Sequence, residues 1–186
     1  MLDETRRRGW AVIVPNFRGP NNTPEACASD LAVQDVLDSV DFARQRAPID
    51  NKRIYLLGSS GGGFMGLMMA SRAPRLWAAI SVWAPIANLA AWHIFSKASD
   101  SPYHKMMDEC FGGPPETPSR QQEYQRRSPV YFLASAKGTP IHIDAGIHDG
   151  HERNAVPLRQ SLEAFNALAK ANGAPIRCWR KKTSPR

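Results

Sequence analysis

The sequence predicts an α/β fold with a mostly parallel sheet and helices on both faces, on three observations. Short apolar runs of strand length alternate with segments of helical spacing, the pattern of strand–crossover–strand units. The runs are continuous rather than alternating, as expected of strands covered on both sides. The chain has 186 residues, 42% apolar and 22% charged, enough for one core but not comfortably for two, so a single domain over 1–186 is expected.

In chain order, 9–15 (Gly-Trp-Ala-Val-Ile-Val-Pro) is the first apolar run and predicts a strand. Residues 25–46 place Leu31, Val33, Val36, Leu37, Val40 and Phe42 at helical spacing between polar residues, and Pro48 closes that helix. A strand at 53–57, a glycine-rich turn at 58–63 and an apolar helix at 64–71 follow, the helix stopped near Pro74. A third strand is expected at 77–84, ended by Pro85. Residues 86–137 lack clean periodicity, with a short helix at 120–126. Within them, 86–127 is the candidate lid or substrate loop. A fourth strand at 140–145 and an amphipathic helix at 156–172 come next, the helix ended by Gly173. One more short strand is expected at 175–180.

Composition excludes several classes. The net charge is +7, but residues 177–186 hold five of the positive charges and no negative one, and Arg6, Arg7 and Arg8 form a second cluster. The body is nearly neutral, so no nucleic-acid partner is expected. No stretch reaches the roughly 18 consecutive apolar residues of a membrane span, so no membrane is expected. The opening basic residues lack the apolar segment of a signal peptide behind them, which makes the cytoplasm the expected compartment. Cys27, Cys110 and Cys178 lie far apart with no CxxC spacing, which argues against a disulfide framework or a cysteine zinc site. No cofactor and no metal is expected.

Gly58-Ser59-Ser60-Gly61-Gly62 carries the chemistry. It fits the G-x-S-x-G nucleophile elbow, with an apolar strand before it and an apolar helix after it. Ser60 must take a strained backbone conformation at a sharp strand-to-helix reversal. The residues two before and two after it come close enough that glycine is expected at both. The N-terminal amides of the following helix, beginning with Gly61, lie where they can stabilise an oxyanion. A Walker loop would need a lysine followed by Ser or Thr, and none is present. A dinucleotide fingerprint would need its glycines near the first strand with an acidic residue about twenty positions on.

Other segments extend the pattern. Gly9-Trp-Ala-Val-Ile-Val-Pro-Asn-Phe-Arg-Gly19, Asp35-Val-Leu-Asp-Ser-Val-Asp-Phe42, Ile49-Asp-Asn-Lys-Arg-Ile54, the elbow itself, Ser128-Pro129, Thr139-Pro140 and Gly146-Ile-His-Asp149 together resemble the catalytic domain of the prolyl oligopeptidase family, in the α/β-hydrolase superfamily. The resemblance spans nearly the whole chain and is loosest over 86–127. It implies Ser60 as nucleophile and Asp149 as triad acid, in the Ser, Asp, His chain order of that superfamily. Asp149 lies past the end of an apolar strand, where a loop carboxylate can hold a histidine; Asp144 lies inside the strand.

The chain departs from the family at both ends. The family's histidine follows the last strand, whereas the last histidine here is His151. The strands before the first one, and the loop that supplies the second oxyanion donor, have no counterpart. The expectation is a partial α/β-hydrolase domain truncated at both ends. Among the other histidines, His148 and His151 flank Asp149, yet neighbours in one loop seldom set a carboxylate behind an imidazole and that imidazole against the serine. His93 and His104 fall in the irregular region and read as surface residues, and His142, in strand periodicity, reads as a packed or partnered histidine.

The function implied is a serine peptidase cleaving peptide bonds through an acyl-enzyme on Ser60. A carboxylesterase of the same superfamily would use the same elbow on a small ester. A catalytically silent fragment that binds a partner through Trp77, Trp83 and Trp92 is the third reading, although those tryptophans read first as core or pocket lining. A chain without the triad base is expected to lose most of its activity.

Overall fold

The computed structural model describes residues 2–151 and 156–174. Three parallel strands, β1 (Tyr55–Ser59), β2 (Ala79–Trp83) and β3 (Ile141–Asp144), form a sheet in the order β1-β2-β3. The register sets Leu56 beside Ile80 and Ile80 beside Ile141, and it aligns Ser59, Trp83 and Asp144 in one row at the C-terminal edge.

Helix α1 (Leu2–Arg7), which the sequence did not announce, is short and held by Glu4 pairing with Arg7 and Arg8. Residues 9–15, the expected first strand, are not in a strand. A strand needs a partner for its backbone groups, and none of the three described strands pairs with this run. Trp10 instead stacks on Tyr55 with ring centroids 5.8 Å apart, and Val14 is 83% exposed. The strand expected at 175–180 lies outside the described residues.

Helix α2 (Asp30–Arg46) begins at Ser29, whose Oγ accepts from the Ala32 amide at 3.1 Å. It buries Ala32 and Val36. Helix α3 (Gly61–Arg72) starts three residues earlier than the sequence suggested. Every residue from Gly63 to Ser71 is buried, as expected of a helix apolar all round. Two glycines set its approach to the sheet: a Cβ on Gly66 would lie 2.7 Å from Val82 Cγ1, and one on Gly63 would lie 3.1 Å from the Pro85 backbone.

The region read as irregular is largely helical. Helices α4 (Leu89–Ala98), α5 (Tyr103–Phe111) and α6 (Pro118–Arg126) bury Leu89, Trp92, Met107, Phe111 and Tyr124 in the common core. Asn88 and Thr117 cap α4 and α6, accepting from the Ala91 and Arg120 amides. Helix α7 (Leu158–Ala171) sends Gln160 into the core, where Oε1 accepts from the Ala87 and Asn88 amides at 2.8 and 2.7 Å and Nε2 donates to the Asn88 carbonyl at 3.1 Å.

The two faces of the sheet differ. Ile80 and Val82 are buried on the side against α3, with Leu56, Ile141 and Ile143 packed beside them. On the other side Tyr55, Leu57 and Trp83 are exposed, Leu57 by 64% and Trp83 by 57%. The sequence predicted covering on both faces; among the described residues one face is open. No described helix is long and apolar enough to cross a membrane.

Candidate active site

Strand β1 ends at Ser59, and the chain turns into α3 through Ser60, whose backbone sits at φ 52° and ψ −117°. This is a disfavoured conformation for a residue with a side chain. It is held by the Ser60 amide, which donates to the Trp83 carbonyl at 2.9 Å, and by the Ser60 carbonyl, which accepts from Phe64 at 2.8 Å. The side chain does not cap the helix. It is left on an exposed shelf at the C-terminal edge of the sheet. The amides of Gly61, Gly62 and Gly63 form the first turn, where helix geometry offers no intrahelical acceptor. They point positive partial charge at the serine.

The glycines of the motif are not equivalent. A Cβ on Gly58 would lie 2.2 Å from the Gly62 carbonyl oxygen and 2.9 Å from the Gly63 nitrogen, so no side chain fits there. A Cβ on Gly62 would meet nothing within 4 Å. The expectation that both positions need glycine holds on this geometry for Gly58 and fails for Gly62, because the close approach is made by the carbonyl of Gly62 and not by its Cα.

Asp149 lies beyond β3 at the same edge of the sheet. Its Oδ2 accepts from the Gly146 amide at 2.8 Å, and its carbonyl accepts from Leu158 at 3.2 Å. With β2 between them, the lines of β1 and β3 run roughly 10 Å apart, from strand spacings of about 4.8 Å each. None of the five histidines of the chain is bonded to Ser60 Oγ among the described residues. His93, far from a surface residue, is 2% exposed and pairs with Asp108 at 2.9 Å. His104 Nδ1 lies 2.6 Å from the Ser101 carbonyl. His142 is on the open face, 3.1 Å from Asp144. The rings of His148 and His151 meet edge to face.

Sequence reasoning missed Asn21. Its Oδ1 accepts from the Cys27 amide at 3.0 Å, which turns Nδ2 toward the elbow, 2.8 Å from where a Cβ on Gly61 would stand. The loop that carries it is tied down at three points. Arg18 forks onto Asp35 of α2 at 2.8 and 2.9 Å. Arg127 donates to the carbonyls of Pro24 and Ala26 at 2.8 and 3.1 Å. Cys27 and Ala28 turn the chain at positive φ. No spacing rule singles out one asparagine in such a loop, so no signal in the sequence pointed to it. No group of three or more metal-ligating side chains occurs among the described residues.

A serine at positive φ between a parallel strand and a buried helix, with a carboxylate past a later strand at the same edge, defines an α/β-hydrolase. The sequence profile of the prolyl oligopeptidase family matches residues 4–180. The chain belongs to that family. It is 27% identical over 184 residues to the acylamino-acid-releasing enzyme of Rattus norvegicus, covering 92% of this chain and 24% of that protein. A peptidase of Bacillus subtilis is 28% identical over 179 residues, covering 88% and 24%. Among solved structures, an acylaminoacyl peptidase of Pyrococcus horikoshii superposes with a TM-score of 0.64 at 23% identity, over 85% of this chain and 23% of that one. An acylaminoacyl peptidase in complex with Z-Gly-Gly-Phe-chloromethyl ketone gives 0.66 at 23% identity, with the same coverage. The chain thus spans about a quarter of the length of the curated relatives it matches.

Proposed function

We propose that this chain carries the nucleophile and the acid of a serine peptidase of the prolyl oligopeptidase type, which cleaves peptide bonds through an acyl-enzyme on Ser60. The observation that carries this reading is the backbone of Ser60, held at φ 52° with its side chain free of the helix it starts. Such strain persists where surrounding structure imposes it, and it presents the hydroxyl to a substrate. A carbonyl attacked by Ser60 Oγ would place its developing negative charge against the Gly61 amide, with Asn21 Nδ2 as a second donor. Asp149 would orient the histidine that takes the serine proton.

Peptide is favoured over ester because the relatives are peptidases and one similar enzyme is held in complex with a peptidyl chloromethyl ketone. The proton of Ser60 has no histidine acceptor among the described residues. Turnover by this chain is therefore expected to lie far below that of a full triad, near the residual 10³–10⁴-fold over water that oxyanion stabilisation and binding leave.

The test is labelling with a fluorophosphonate probe, beside Ser60→Ala and Asn21→Ala. Slow labelling that vanishes in Ser60→Ala and falls in Asn21→Ala supports the reading. Labelling equal in wild type and Ser60→Ala, or absent from a chain shown to be folded, overturns it for this chain.

A further inference from the structure

Cys27 and Cys110, 83 positions apart, bring their sulfurs to 2.7 Å. Both side chains are buried, at 2% and 3% exposure, and both are free thiols here. The spacing argument against a disulfide did not anticipate this, because sequence separation does not limit which loops a fold brings together. The separation is shorter than a van der Waals contact between two sulfurs. A covalent S–S bond is about 2.05 Å long, so closure requires an approach of only about 0.7 Å.

The surroundings hold both partners in place. The Cys27 amide donates to Asn21 Oδ1 at 3.0 Å, and its thiol donates to the Asn21 carbonyl at 3.4 Å. Cys110 lies one residue before the end of α5, where Phe111 packs tilted against Tyr124 with centroids 4.2 Å apart. Arg127 bridges the two sides, lying over the Phe111 ring while it holds the carbonyls of Pro24 and Ala26.

We propose that Cys27 and Cys110 form a disulfide cross-link that fastens the α4–α6 helical segment to the loop carrying Asn21. Each cysteine loses its thiol proton and one electron as the S–S bond forms. A low-molecular-weight disulfide is the oxidant; it takes up the two protons and two electrons and leaves as two thiols. The attacking species is a thiolate. The hydrogen bond with Cys110, then burial, pushes the Cys27 thiol far above its ordinary range. The finished fold thus resists the reaction, and the bond closes during folding, while the sulfurs are still in water. The inference does not rest on the reading of Ser60.

The experiment is refolding of the whole chain from urea in buffer containing oxidised and reduced glutathione, with a Cys178→Ser variant in parallel. Products are unfolded again, treated with a maleimide and mapped by mass. In Cys178→Ser the expected product has no reactive thiol, a mass lower by two hydrogens and one linked peptide pair joining Cys27 to Cys110. Dithiothreitol restores two thiols. Native chain placed in the same buffer without unfolding is expected to oxidise at least about tenfold more slowly. Two reactive thiols after refolding, or stable glutathione adducts on both cysteines, overturn the proposal. So does a wild-type product in which Cys178 takes either partner. If Cys178→Ser does not fold, the peptide map of the wild-type chain decides between these outcomes.

Discussion

Replacing Gly58 by alanine puts a methyl group 2.2 Å from the Gly62 carbonyl oxygen, 2.4 Å from its carbon and 2.9 Å from the Gly63 nitrogen. All three are backbone atoms at the start of a buried helix, so no side chain can swing aside. Overpacking costs typically about 1–3 kcal/mol, and a clash confined to backbone belongs at the upper end, about 3 kcal/mol. Gly62→Ala is the matched control. Its methyl meets nothing within 4 Å, and alanine for glycine inside a helix gains about 0.5–1 kcal/mol. The two variants, four positions apart in one motif, should differ by about 4 kcal/mol. Urea unfolding followed by far-UV circular dichroism measures this, provided the slopes agree. For a chain of this length the gap is roughly 8–16 °C in Tm. Gly58→Ala should also lose fluorophosphonate labelling, which Gly62→Ala keeps. Gly58→Ala within about 1 kcal/mol of wild type, or Gly62→Ala equally damaged, would refute the one-sided approach described for the elbow.

Three further outcomes follow from other residues. Ser60→Gly should be more stable than Ser60→Ala by about 1–2 kcal/mol, since glycine tolerates φ 52° and alanine does not; equal midpoints in urea would show that the turn relaxes. Gln160→Leu removes the acceptor of two backbone amides in the core and should cost about 2–4 kcal/mol, read from the same unfolding curves. The Arg126 hydrogen bonds, aided by Arg127, hold the Glu123 carboxyl at about 2, below its ordinary value of 4.5. Because the folded value is the lower one, its contribution is whole above about pH 4.5, is lost as pH falls and is gone below about pH 2. Tm against pH should therefore fall less steeply across that window in Glu123→Gln than in wild type.

The parts of the fold legible in the sequence are those whose signal is local. The run at 53–57, the glycines and the apolar stretch of α3 announce strand, elbow and helix, although the strand lies two residues later, at Tyr55–Ser59. Strands β2 and β3 lie within the runs expected for them, and α7 is fixed by Leu158, Leu162, Phe165 and Leu168 at helical spacing. The failures are where structure depends on distant partners. Residues 10–14 have strand composition, yet a strand exists only beside another. Helix α4 hides its period because polar His93 and Ser96 share the buried stripe with Leu89 and Trp92, while apolar Ile94 off that stripe is exposed. Helix α5 is nine residues long and has no side-chain cap, so it lacks both a long period and a start signal. At the candidate site, the sharp strand-to-helix turn at Ser60 was readable from its motif. Asn21 was not, because its place beside Gly61 is set by Cys27, Arg127 and the α2 contact of Arg18.

The open face of the sheet bears on how this chain melts. The side chains of Tyr55, Leu57 and Trp83 already lie in water there. The heat-capacity increment of unfolding grows with newly wetted apolar area, about 0.45 cal/mol/K per Å². Apolar surface already in water before unfolding adds nothing to it. Calorimetry of this chain should therefore show a smaller increment per residue than the usual 12–15 cal/mol/K.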